Sequence, residues 1–124
     1  MSGIKIILDT NALILYLQGN LLIQFDIRDT GISIITKIEY LVNPAIGVKD
    51  IHLFNMLEEY ISIFYLSEKE EAVFKETIKI RKKYKLKLPD VLIAATAMVN
   101  NATLLIADNA FSKIYDLKFQ LINL

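Results

Sequence analysis

Ile4-Lys5-Ile6-Ile7-Leu8-Asp9-Thr10-Asn11-Ala12 is the stretch on which the fold turns. Its first five residues are short, rich in β-branching and apolar but for one, which suits a strand buried on both faces. Asp9, Thr10 and Asn11 follow, and any of the three can cap a helix. Ala12 to Leu17 reads as that helix, ending near Gly19 and Asn20. A strand buried on both faces that feeds straight into a helix is the building unit of a parallel sheet.

The alternation continues along the chain. Leu21 to Asp29 is ambiguous and helical in part. Gly31 to Ile34 is a second strand. Thr36 is a candidate N-cap, with Glu39 at the spacing of a capping box, and the helix runs to about Asn43 before Pro44. Asp50 to Tyr60 carries apolar residues at 51, 53, 54 and 57, a helical stripe, and Ile61 to Tyr65 is a third strand. Ser67-Glu68-Lys69-Glu70 repeats the capping-box spacing ahead of a helix to about Lys83. Lys85 to Pro89 is a loop, and Asp90 to Asn100 an Ala-rich helix. Thr103 to Ile106 is a fourth strand, Asp108-Asn109 a turn, Ala110 to Ile114 a helical turn and Lys118 to Ile122 a last strand. The pattern predicts one α/β domain over residues 1–124, with a mostly parallel sheet of four or five strands and helices on both faces.

Composition removes several alternatives. The chain has 124 residues, 54 % of them hydrophobic, with 14 basic and 14 acidic side chains in balance. A disordered chain would be poor in apolar residues and unbalanced in charge. With no Cys and the single His52, thiolate sites and His-built zinc sites are excluded. No stretch approaches the ~18 apolar residues of a spanning helix, and Asp9 interrupts the apolar start at once, against a signal peptide. The expectation is a soluble cytoplasmic protein with no membrane partner. Neutral net charge makes no global case for nucleic acid, so that case must come from local clustering.

Four acidic residues mark the predicted carboxyl end of the sheet, where sites of open α/β folds form. Asp9 directly follows strand one and Asp108 follows strand four. Glu39 and Asp90 stand in the first turns of helices. Each has a local use: Asp9 and Asp90 as N-caps, Glu39 in a capping box with Thr36, Asp108 in a turn. Local capping does not require all four at one sheet edge. Gathered there, they would repel one another unless a cation joined them, and an all-oxygen ligand set suits Mg²⁺ or Mn²⁺. Such an ion activates water and steadies a phosphoryl oxygen, which is the chemistry of phosphodiester hydrolysis.

Four segments resemble motifs of the PIN-domain ribonucleases, in particular the small toxins of VapBC toxin–antitoxin pairs. They are Ile6 to Ile14, Ile32 to Leu41, Leu88 to Ala97 and Thr103 to Phe111, and they occur in the family's order over nearly the whole chain. The resemblance implies a parallel sheet flanked by helices in three layers. It implies an acidic site of Asp9, Glu39, Asp90 and Asp108 that binds Mg²⁺ or Mn²⁺, with Asn11 and Thr36 supporting it through hydrogen bonds. It also implies RNA cleavage, a cognate antitoxin that occupies the site, and a homodimer. Ile106 departs from the pattern: the family usually carries Thr or Ser there, and Ile supplies no hydroxyl. No further acid closely follows Asp108, and Asp116 reads as a turn residue.

Other features bear on partners. Lys79, Arg81, Lys82, Lys83, Lys85 and Lys87 are the densest basic run, with Tyr84 among them, just ahead of Asp90. Lys82, Lys83, Lys85 and Lys87 are candidate RNA contacts, since RNA binding needs cations on phosphates and aromatics beside bases. The same run also suits a solvated helix C-terminus. Phe25, Leu53, Phe54, Met56 and Leu57 are candidates for a dimer or antitoxin face. His52 and the tyrosines read as packing residues. Competing readings are a phospho-accepting receiver module, a PIN domain that binds RNA or a partner without cleaving, and a non-toxin PIN nuclease of RNA processing.

Overall fold

A computed structural model describes residues 3–21, 23–68 and 70–122. In chain order its elements are β1 (Ile6–Leu8), α1 (Thr10–Leu17), a 3₁₀ turn (Ile27–Asp29), β2 (Thr30–Ser33), α2 (Ile34–Leu41), α3 (Val48–Glu58), β3 (Ser62–Phe64), α4 (Glu71–Lys83), α5 (Leu88–Val99), β4 (Thr103–Ile106), a second 3₁₀ turn (Asn109–Lys113) and β5 (Phe119–Leu121). The strands form one sheet in the order β3-β2-β1-β4-β5. Every pairing is parallel, with Leu8 beside Ile32 on one side and Leu105 on the other. This is the α/β class the alternation predicts.

Alternating side chains along the central strands feed two cores. Ile7, Leu104 and Ile106 pack with α4 and α5 residues such as Val73, Ile80, Val91 and Ala94. Leu8, Ile32 and Leu105 pack with Ala12 and Leu13 of α1 and Phe54 and Leu57 of α3. Tyr40 of α2 stacks on Phe54 with ring centroids 5.5 Å apart. Helices therefore cover both faces, as buried parallel strands require. Among the described residues no helix is long and apolar enough to cross a membrane.

Three helix starts differ from the sequence reading. Thr36 does not cap α2. Ser33, at the end of β2, accepts from the Ile35 N–H at 3.1 Å, so α2 begins earlier and Thr36 lies buried inside it. The Thr36–Glu39 capping box therefore does not form, and Glu39 stands in the second turn of its helix. The Ser67–Glu70 box is also absent: Glu70 is itself the N-cap of α4 and makes no side-chain cap bond, and Lys69 lies outside the described residues. Helix α5 starts at Leu88, because Pro89 in the first turn is already set for helical φ. Asp90 is thus its third residue.

Gly31 sits where β2 passes under Phe64. A Cβ there would lie 2.7 Å from Phe64 Cε2 and 3.0 Å from the Ser62 carbonyl oxygen. We expect Gly31→Ala to lower stability by about 1–3 kcal/mol through overpacking. An unchanged urea midpoint in that variant would show that Phe64 swings aside freely.

Candidate active site

The order of the strands creates the site. From β1 the chain builds outward to β2 and β3, then returns to lay β4 on the other side of β1. Loops leaving β1 and β4 thus part in opposite directions, which opens a crevice at their carboxyl ends. The Asp9 N–H donates to the Leu105 carbonyl at 3.1 Å, so the β1–β4 ladder continues into that crevice. A receiver module would show the order 2-1-3-4-5 instead, and the observed order excludes it.

A cavity of about 310 Å³ lies there, lined by Asp9, Thr10, Asn11, Glu39, Lys87, Asp90, Ile93, Asp108 and Phe111. The four acids predicted from sequence all meet in it. Asp9 arrives on the β1–α1 turn, Glu39 on α2, Asp90 on the first turn of α5 and Asp108 on the turn after β4. Two of them also do local work. Asp9 Oδ1 accepts from the Ala12 N–H at 2.7 Å and caps α1. Asp108 Oδ1 accepts from the Ala110 N–H at 2.9 Å. The capping role and the cavity role coexist in these carboxylates, because a cap bond uses one oxygen and leaves the other.

Electrostatics mark the same group. Burial pushes the Asp9 carboxyl up from 3.8 to about 6; amides of Ala12 and Ala107 pull it back, while Asp90 and Asp108 push further. Asp9 is only 2 % exposed. Burial also raises Asp90, helped by Glu39 and Asp108 and opposed by Lys87. Packed acids that resist ionisation are the signature of a site short of positive charge.

Among the described residues, no three His, Cys, Asp or Glu side chains converge tightly enough to hold a metal ion unaided. The donor set nonetheless fits Mg²⁺ or Mn²⁺: every acid lining the cavity offers only oxygen. Mg²⁺ is ordinarily held by one or two carboxylates, with water and substrate phosphate completing its shell. An open cluster suits that habit better than a closed cage.

The remaining sequence candidates divide. Asn11 lines the cavity and is exposed, and among the described residues its side chain makes no hydrogen bond. The buried Thr36 hydroxyl has no partner and does not line the cavity. Of the basic run, Lys87 alone enters the cavity. Lys83 lies in a separate, smaller cavity with Tyr84, Tyr115 and Asp116, its Nζ 5.5 and 5.8 Å from the two tyrosine rings. Lys82 and Lys85 are exposed and line neither. Ile106 is fully buried in the core against α5, so its side chain does not line the cavity either. Of the apolar candidates, Phe54 is fully buried and presents no face. Leu53, Met56 and Leu57 line an open groove with Tyr16, Leu17, Ile27 and Tyr60, and Phe25 packs against Tyr16.

Sequence reasoning missed Thr10. Its Oγ1 donates to Glu39 Oε1 at 2.6 Å, across a separation of 29 residues. No local signal marks a bond of that range.

Comparison with known proteins follows the same lines. A family model described as PIN domain matches residues 6–117. A toxin–antitoxin complex from Klebsiella pneumoniae contains a chain 25 % identical to this one, with TM-score 0.66, covering 91 % of this chain and 95 % of that one. VapBC2 from Rickettsia felis, bound to a DNA fragment from its promoter, gives TM-score 0.72 at 18 % identity over 97 % of this chain and 100 % of that one. DNA-bound VapBC from Salmonella typhimurium gives 0.71 at 16 % identity, over 94 % and 97 %. The last two likenesses concern the fold. No curated protein matches the chain.

Proposed function

The chain belongs to the PIN domain family, and we propose that it is a divalent-metal-dependent endoribonuclease, the toxin of a toxin–antitoxin pair. The observation that carries this reading is the meeting of Asp9, Glu39, Asp90 and Asp108, from four separate segments, in one crevice at the carboxyl edge of the sheet. The toxin assignment draws on the Klebsiella pneumoniae complex and on the VapBC structures of the same fold. A cognate antitoxin, a homodimer and a cytoplasmic setting belong to the same proposal, as does one domain spanning residues 1–124.

Asp9, Asp90 and Asp108, with Glu39, would hold Mg²⁺ or Mn²⁺. When bound, the ion supplies the missing positive charge, a water that ionises near neutral pH and a hold on a phosphoryl oxygen. Glu39, on the α2 side of the crevice, orients the attacking water and takes its proton. Asn11, an exposed amide at the cavity wall, hydrogen-bonds the RNA backbone or the ion's water. Lys87 forms no ion pair among the described residues, although it stands among carboxylates. It is therefore free to meet an incoming phosphate. Lys82, Lys83 and Lys85 extend the electrostatic path of the strand beyond the cavity.

The test is cleavage of single-stranded RNA by the purified protein. Activity is expected with Mg²⁺ or Mn²⁺, lost with EDTA and restored by the ion; cleavage indifferent to EDTA contradicts the proposal. Lys87→Met keeps the aliphatic stem and removes the charge. It should raise KM several-fold and lower the slope of log KM against log salt by about 0.7, the share of one phosphate contact on a single strand. An unchanged salt slope would place Lys87 off the RNA.

A further inference from the structure

We infer that Thr10 is a positioning residue: its hydroxyl holds the Glu39 carboxylate in its working orientation, tying the first acidic segment to the second. The inference rests on the reading of the cavity as a nuclease site and extends it to a residue whose type suggests no role of its own.

Thr10 is the first residue of α1, where a hydroxyl would ordinarily turn back to the helix end. That local role is already filled, since Asp9 accepts from the Ala12 N–H. The Thr10 hydroxyl instead reaches α2 and donates to Glu39 Oε1 at 2.6 Å, the length of a charge-assisted bond to a carboxylate. Both residues line the cavity. Among the described residues nothing else donates to Glu39, so its aim within the cavity depends on this one bond and Oε2 is left to the site. Thr36, the other threonine near Glu39 in sequence, cannot substitute, because its hydroxyl is buried without a partner. A Glu side chain has three rotatable bonds, and an untethered carboxylate at a cavity wall would sample several orientations. Partners that orient a metal-binding carboxylate typically contribute tenfold or more to affinity or rate.

Thr10→Val keeps the β-branched shape and removes the donor, whereas Thr10→Ser keeps the donor. The direct readout is Mn²⁺ affinity, followed by electron paramagnetic resonance of the free ion. Thr10→Val should bind Mn²⁺ about tenfold more weakly, and Thr10→Ser within about twofold of the parent. Introduced into Glu39→Gln, Thr10→Val should change Mn²⁺ affinity no further, because its effect runs through Glu39. In RNA cleavage, Thr10→Val should lower kcat with KM little changed. Thermal melting of each variant without metal separates a folding defect from loss of orientation, and Thr10→Ala gives a second donor-free variant should Val pack badly. Parent-like Mn²⁺ affinity in both donor-free variants overturns the inference, as does an equal loss in the Glu39→Gln background. If the parent cleaves no RNA, the nuclease reading fails while the Mn²⁺ measurements still decide the role of Thr10.

Discussion

Asp90→Asn is expected to lower RNA cleavage by about 10³-fold at saturating Mg²⁺, the loss that follows when several kcal/mol of metal-borne transition-state stabilisation goes. The fold should survive. Asp90 makes no cap bond at the start of α5, so the change forfeits only its interaction with the helix dipole, about 0.3–1 kcal/mol. Against that loss, the variant relieves repulsion from Glu39 and Asp108, which raises the Asp90 carboxyl above its ordinary range together with burial. The melting temperature of the metal-free variant should thus match or exceed that of the parent. Cleavage within tenfold of the parent, in protein free of contaminating nuclease, would remove Asp90 from the mechanism.

The second large effect is on stability and reverses the usual pH trend of a carboxylate. Asp9 holds its proton to about pH 6 when folded, against 3.8 as the ordinary value. Between those values the folded chain binds a proton that the unfolded chain has released. Stability from this group is therefore full below about pH 4 and is lost as pH rises through 6, a change of about 3 kcal/mol in the metal-free protein. Asn caps helices as well as Asp does, so Asp9→Asn should keep α1 and remove the titration. Relative to the parent, the variant should gain stability between pH 4 and pH 7 in EDTA. Added Mg²⁺ should raise the melting temperature of the parent at pH 7.5 and leave Asp9→Asn nearly unmoved. Parallel stability curves for the two proteins would mean that Asp9 ionises in the fold without penalty.

How much of this was legible in the chain varies by residue. Asp9 and Asp108 were, because Ile6–Leu8 and Thr103–Ile106 are β-branched or apolar runs that end abruptly, and an acid after a buried parallel strand can only stand at the sheet's carboxyl edge. That β1 and β4 are neighbours was not legible. It follows from the order of strands in space, which alternation along the chain leaves open. Glu39 was placed at the right edge for a mistaken local reason. The spacing from Thr36 suggested a capping box, but Ser33 already occupies the end of β2 and captures the free amide of Ile35. Glu39 is thereby released from capping and reaches Thr10. Charge density pointed to a whole basic run, whereas only Lys87, carried on the turn into α5, faces the acids. The tertiary path of the loop between α4 and α5 makes that selection, and composition carries no record of it.

The apolar candidates show the same limit. The stripe at 51, 53, 54 and 57 correctly foretold a helix, but which of its members stay exposed depends on the partner face. Phe54 is taken wholly into the core by Tyr40 and the sheet, while Met56, off the stripe, remains 53 % exposed.

The most direct test is a crystal grown near pH 7.5, soaked in Mn²⁺ and measured at a wavelength where manganese scatters anomalously. The expected result is an anomalous peak inside the cavity, in contact with carboxylate oxygens from Asp9 and at least one of Asp90, Asp108 and Glu39, that disappears in Asp90→Asn. A cavity without a peak at an Mn²⁺ concentration that supports cleavage, or a peak only at acids elsewhere on the surface, would contradict it.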